Sequence, residues 1–165
     1  MESVAGSGLT RAGTGVRIVG ILLFEVIMDC PVCREAMITL ELDEVEIDHC
    51  LACGGIWLDA GELETLLGDS EKASAVVASF VAAAGCTERS RKCPICLKKM
   101  EKVWVGPEER RVLIDRCRKA DGLWFDKGEL EDIFAGADFD EEHKVEALLK
   151  EMFGGGGMSN ERNVE

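Results

Sequence analysis

A pattern of paired cysteines occurs twice in this chain and leaves little freedom in how it can fold. The first copy runs Cys30-Pro31-Val32-Cys33, and then Cys50-Leu51-Ala52-Cys53-Gly54-Gly55-Ile56-Trp57-Leu58-Asp59-Ala60-Gly61-Glu62-Leu63. The second runs Cys93-Pro94-Ile95-Cys96, and then Cys117-Arg118-Lys119-Ala120-Asp121-Gly122-Leu123-Trp124-Phe125-Asp126-Lys127-Gly128-Glu129-Leu130. The opening pairs lie 63 positions apart, whereas Cys50 and Trp57 lie 67 positions before Cys117 and Trp124. Four extra residues therefore sit inside the second copy. They fall at Gly106-Pro107-Glu108-Glu109, a turn signal between two strand-like runs, so the repeat is a duplication with one lengthened hairpin.

Each Cys-x-x-Cys turn points two thiolates at one centre, and a hairpin between two such turns completes a tetrahedron. Cys30, Cys33, Cys50 and Cys53 are the expected ligands of a first site. Zinc suits them, being borderline soft and content with four sulfurs; iron in a rubredoxin-like site is the competitor. The spacing favours metal over a disulfide framework or free core thiols. A unit of about 40 residues is too small to bury a sufficient core, so metal binding supplies folding free energy. Four protein ligands close the site and leave no position for a catalytic water.

The second copy keeps Cys93, Cys96 and Cys117 but has Ala120 at the fourth position. Four outcomes stay open. The site is metal-free and held by packing, Asp121 supplies a carboxylate oxygen, Cys86 folds back as a fourth sulfur, or three thiolates hold an open zinc.

Around the cysteines, β-prone runs are expected at Ala36 to Leu42, Val45 to Ile47, Met100 to Val105 and Arg111 to Ile114. Asp59 with Glu62 reads as a capping box opening a helix over Glu62 to Leu67 that stops at Gly68; Asp126 and Glu129 repeat it, with Gly136 as the stop. The Ala-rich linker Ser70 to Ala84 reads as one helix, and Glu141 to Phe153 as another, with Val145, Leu148, Leu149 and Met152 on one face. The fold class is thus small α+β: two tandem β-hairpin units each followed by a short helix, with a linker helix and a C-terminal helix.

The motif Cys-Pro-x-Cys, then Asp-x-Cys-x-x-Cys-Gly-Gly-x-Trp-Leu-Asp-x-Gly-Glu-Leu, resembles the TFIIB-type zinc-ribbon family, the transcription factor zinc-finger domain. The resemblance covers residues 28–68 with every ligand and 91–136 with three of four. It implies a zinc ribbon held by Cys30, Cys33, Cys50 and Cys53, and says little about activity. The expected organisation is an extension or mis-called start at 1–27, ribbon 1 at 28–68 and a helical linker at 69–90. A degenerate ribbon 2 at 91–136, a C-terminal helix at 137–153 and a flexible tail at 154–165 complete it.

Residues 1–27 carry a signal-like stretch, Ile18 to Phe24 after Arg11 and Arg17, but no small-residue cleavage site follows, and Met28 is a natural start. The apolar run Val16 to Met28 is shorter than the roughly 18 residues that span a bilayer. These features point to a cytoplasmic protein without a membrane segment.

Charge separates the two copies of the repeat. The whole chain carries 32 Asp and Glu against 19 Lys and Arg, a net charge of −13. Residues 28–68 hold one base, Arg34, against ten acids, a net of −9; residues 91–136 hold eleven bases against nine acids, a net of +2. The first copy repels nucleic acid and favours a basic protein partner. The second clusters Arg110, Arg111, Arg116, Arg118 and Lys119, with Lys98, Lys99 and Lys102 before them, and offers a strand of RNA or DNA a surface. Trp57 and Trp124, placed identically before a helix, are expected to pack; Trp104 on the longer hairpin is the expected exposed contact.

The reading that follows is a non-catalytic zinc-binding interaction module with a protein partner and no evident small-molecule substrate. Nucleic-acid binding through the second ribbon is the alternative. A zinc-dependent or thiol enzyme, for which Cys86 is the residue to test, is the least favoured.

Overall fold

The computed structural model describes residues 17–18, 28–42, 45–68 and 71–136. Within them the chain forms β1 (Arg17–Ile18), β2 (Ile38–Leu42), β3 (Val45–His49), β4 (Ile56–Asp59), α1 (Glu62–Leu67) and α2 (Glu71–Ala78). There follow β5 (Val81–Ala82), β6 (Glu101–Val105), β7 (Val112–Arg116), β8 (Gly122–Phe125) and α3 (Glu129–Gly136). The C-terminal helix expected over 141–153 lies outside the described residues.

Both expected hairpins are present, in matching register. β2 and β3 pair from Ile38↔His49 to Leu42↔Val45, and β6 and β7 from Glu101↔Arg116 to Val105↔Val112. Two residues separate the first pair of strands and six the second. The four extra residues therefore sit in the hairpin loop, where Glu108–Arg110 coils into a 3₁₀ turn. Each repeat also has a third strand that its sequence pattern does not announce. β4 adds to β3 through Asp48↔Trp57 and His49↔Ile56, and β8 adds to β7 through Asp115↔Trp124 and Arg116↔Leu123.

The third strands then join the two repeats. β4 and β8 run antiparallel with Ile56↔Phe125, Trp57↔Trp124, Leu58↔Leu123 and Asp59↔Gly122 in register. One eight-stranded sheet results, in the order β1-β2-β3-β4-β8-β7-β6-β5. Shifting ribbon 1 residues by 67 exchanges the two strands and maps the register onto itself, so a local pseudo-two-fold axis passes through the Trp57–Trp124 pair. Two ribbons read as tandem units are thus halves of one sheet.

Alternation along the strands divides the core between two faces. Ile56, Leu58 and Phe125 point to one face, where α1 and α3 supply Leu63, Leu66, Leu67, Leu130, Ile133 and Phe134. Trp57 and Trp124 point to the other, packed with Met37, Met100 and the buried cysteines Cys30, Cys50, Cys93 and Cys117. Both indoles are fully buried, as expected.

The linker differs from the single helix expected over Ser70 to Ala84. Helix α2 ends at Ala78, where the Ser79 hydroxyl donates to the Val76 carbonyl and accepts the Gly106 amide. Val81 and Ala82 then pair with Trp104 and Val103. The otherwise unpaired edge of β6 outweighs the helical preference of the alanines, because tertiary pairing overrides propensity. The same strand half-covers Trp104, so this residue is not the freely exposed contact expected of it.

Candidate metal centres and the charged surface

Ribbon 1 brings its four cysteines together as the spacing predicts. Each pair is preceded or followed by strand pairing: the bridge Asp29↔Ala36 closes the first turn, and Cys50 donates its amide to the Gly55 carbonyl to close the second. The ligand atoms of Cys30, Cys33, Cys50 and Cys53 all lie within 4.8 Å of one another. Cys30 Sγ is 3.5 Å from Cys53 Sγ, and Cys33 Sγ is 3.4 Å from Cys50 Sγ. Sulfurs about 2.3 Å from a tetrahedral zinc stand about 3.8 Å apart, so this donor set fits the ion. The Val32 amide points at Cys30 Sγ from 3.3 Å, a donor that favours thiolate. Burial pushes the Cys30 thiol up, and Cys53 higher still; at Cys50 burial is outweighed by the Cys53 and Ala52 amides and the Cys33 thiol, leaving it at about 7.

In ribbon 2 the Asp121 carboxylate stands beside the three thiols. Its Oδ2 lies 3.5 Å from Cys93 Sγ and 3.1 Å from Cys117 Sγ, and Cys96 Sγ lies 3.5 Å from Cys117 Sγ. The four donors again fall within 4.8 Å of one another. The turn is rebuilt to allow this. In ribbon 1 the Gly54 amide reaches back to the Cys50 carbonyl; in ribbon 2 the Ala120 amide bonds the Cys117 carbonyl, a turn one residue tighter. Ala120 then takes a left-handed conformation, φ 58°, which for a residue with a Cβ costs about 1–2 kcal/mol. The tighter turn moves the donor one position along the chain. Thiol hydrogen bonds from Cys96 and Cys117 hold the Asp121 carboxyl below its ordinary range, whereas burial raises Cys93 to about 12. Cys86 is half-buried and stands outside this donor set. Two four-donor sites therefore fit Zn²⁺, the second with one oxygen in place of a sulfur.

The glutamates of the two expected capping boxes act as expected and the aspartates do not. Glu62 Oε2 does accept the Asp59 amide at 2.6 Å, and Glu129 Oε2 the Asp126 amide at 2.7 Å. The aspartates, however, accept the indole N–H groups. Trp57 Nε1 donates to Asp59 Oδ1 at 2.7 Å and Trp124 Nε1 to Asp126 Oδ1 at 2.9 Å, while Gly61 takes the N-cap position of α1. Asp-two-after-Trp in both copies was the available signal, since a buried indole seeks an acceptor.

The basic face of ribbon 2 is smaller than its sequence suggests. Lys102 is buried, with Nζ 3.0 Å from Glu88 Oε2 and 3.1 Å from the buried Asp115 Oδ2. Arg116 is engaged by Glu101 through two hydrogen bonds of 2.9 and 2.7 Å. Lys98, Arg110, Arg118 and Lys119 remain exposed, and Arg111 stands 4.0 Å from Glu108. No helix among the described residues is long and apolar enough to cross a membrane.

The transcription factor zinc-finger model, the TFIIB-type zinc ribbon, matches residues 29–69 and 92–136, together just over half of the sequence. No curated protein and no solved structure matches the chain.

Proposed function

The chain belongs to the transcription factor zinc-finger family, the TFIIB-type zinc ribbons, and on that footing we propose that it is a non-catalytic module presenting surfaces to a protein partner. In this reading two zinc ions, held by Cys30, Cys33, Cys50 and Cys53 and by Cys93, Cys96, Cys117 and Asp121, rigidify one platform spanning residues 28–136. The observation that carries it is closure: each site has four protein donors within 4.8 Å, which fills a tetrahedral zinc and leaves no position for substrate. The turns that hold the metal instead display apolar tips to solvent. Leu51 is 72% and Leu97 64% exposed, a cost in water that a protein partner removes. Zinc held by seven cysteines requires them reduced, and the cytoplasm is the proposed setting.

The experiment is quantitative affinity purification from the native source with zinc-loaded wild type beside Leu51→Asp and Leu97→Asp. A partner retained by wild type and lost by the variants, all with equal zinc content, supports the reading. Equal recovery by all three overturns it. Nucleic-acid binding by ribbon 2 is the second reading, favoured by exposed Lys98, Arg110, Arg118 and Lys119. Absence of oligonucleotide binding at low salt removes it, since phosphate contacts are strongest there.

A further inference from the structure

Beside the corresponding Cys-Pro-x-Cys turns of the two ribbons lie two clefts of opposite charge. In one, Pro94 and Ile95 of ribbon 2 face Glu46, Asp48, Asp59 and Glu62 of ribbon 1 across a cavity of about 340 Å³. In the other, Pro31 and Val32 of ribbon 1 occur with Arg89, Arg91, Lys92 and Lys99 of the second half, together with Arg34, around about 390 Å³. Pro31 and Val32 correspond to Pro94 and Ile95 in the repeat, and Met28 in the acidic cleft corresponds to Arg91 in the basic one. No acid lines the basic cleft, although the chain as a whole is strongly acidic.

We infer that the basic cleft binds the phosphate group of a small phosphorylated molecule of nucleotide size. Five cations around one cavity supply more positive charge than a single carboxylate needs, and guanidinium forks match phosphate oxygens. Arg91 is partly committed, donating Nη2 to Asp126 Oδ2 at 2.6 Å, but its Nε is buried with no hydrogen-bond partner among the described residues. An unmet buried donor of this kind is costly, so Asp126 does not exhaust the donor capacity of Arg91. Pro31 and the half-exposed Val32 give the cleft an apolar wall for the rest of the ligand.

Two simpler roles for these cations fail on the same geometry. Screening a negatively charged zinc centre does not require them, because the equivalent knuckle at Pro94 and Ile95 stands beside four acids. A long polyanion is disfavoured by the −9 charge of ribbon 1. A small ligand held within a Debye length, about 8 Å at physiological salt, feels chiefly the local cations. The inference is independent of the protein-partner reading, and neither test bears on the other.

The test is calorimetric titration of the full-length, zinc-loaded protein with AMP, ribose 5-phosphate, inorganic phosphate, adenosine and a single-stranded oligonucleotide. Expected is saturable one-to-one binding of AMP, with adenosine silent. Ribose 5-phosphate and inorganic phosphate then report whether base, sugar or phosphate alone carries the affinity. Arg89→Ala and Lys99→Ala, both at exposed positions, each weaken AMP by about tenfold with zinc content unchanged, whereas Arg110→Ala on the distant hairpin loop does not. Arg89→Lys, which keeps the charge, recovers part of the loss. No AMP binding at millimolar concentration, binding of the oligonucleotide alone, or loss of zinc in both alanine variants and in Arg89→Lys overturns the inference.

Discussion

Trp57 and Trp124 are register partners across the β4–β8 pairing, and each indole lies over a glycine of the other repeat. A Cβ on Gly55 would meet Trp124 carbons at 2.2 and 2.6 Å, and one on Gly122 would meet Trp57 at 2.6 Å and the Leu58 carbonyl oxygen at 2.2 Å. The two glycines occupy equivalent positions in the repeat. This reciprocal seating, rather than any loop, is what joins the ribbons.

Gly55→Ala and Gly122→Ala are therefore expected to destabilise the protein by at least about 1–3 kcal/mol each, the usual penalty of overpacking a filled core. Gly122→Ala is the worse, because its Cβ meets backbone that cannot rotate away. Denaturant unfolding of the zinc-loaded variants measures both. Substitution at Gly61, around which nothing lies within 4 Å, tests only the positive φ of 93° at the start of α1.

Metal analysis of wild type should return two zinc ions per chain, and of Asp121→Ala one. Cobalt substitution distinguishes the sites further, since three thiolates in ribbon 2 give weaker sulfur-to-metal charge transfer than four. Ala120→Gly should retain both ions and stabilise the apo-to-holo transition by up to about 1 kcal/mol, because glycine adopts the left-handed turn without the Cβ penalty. A single zinc in wild type removes Asp121 from the ligand set.

Lys102→Met should cost about 3–5 kcal/mol, the penalty for leaving a buried charge, here Asp115, without its partner. The double variant Lys102→Met with Asp115→Leu should recover much of that loss. Chemical denaturation of wild type, Lys102→Met, Asp115→Leu and the double variant closes the cycle. Recovery matters, since it separates ion pairing from simple loss of packing.

The pH dependence follows from Glu62 and Glu129. Burial, and then the neighbouring Asp59 and Asp126, raises both to about 7 from an ordinary 4.5, while the Asp59 and Asp126 amides oppose the rise. The folded protein thus binds these protons more tightly than the unfolded chain. Their stabilisation is complete below pH 4.5 and is lost as pH rises through 7. Glu62→Gln with Glu129→Gln keeps the acceptor oxygens and removes the titration. The difference in stability between variant and wild type, both zinc-saturated, should therefore grow in the variant's favour from pH 5.5 to 8.

The cysteine spacing makes the first site legible, and the offset between 63 and 67 places the insertion in the hairpin. The helices α1 and α3 were equally readable, because Gly68 and Gly136 punctuate them. Asp121 was one of several open choices for the second site. Its selection depends on a turn tightened at Ala120, a backbone property that composition does not reveal. The strands β4 and β8 escaped detection because Ile56-Trp57-Leu58 and Leu123-Trp124-Phe125 are continuous apolar runs without alternation. Such runs mark strands buried on both faces, and here α1 and α3 cover one face while Met37, Met100 and the cysteine turns cover the other. The burial of Lys102 was hidden for a related reason: its partner Asp115 comes from the opposite strand of the hairpin.

The axis between the tryptophans gives this single chain the anatomy of a homodimer. Had the two ribbons been separate chains, the seam would dissolve on dilution and both halves would be bound to one sequence. Joined by a linker, they face each other at a fixed effective concentration, independent of how much protein is present. Identity of the halves is then no longer required. One half carries a carboxylate where the other has a thiolate, and one is basic where the other is acidic, an asymmetry that two identical subunits have no means to encode.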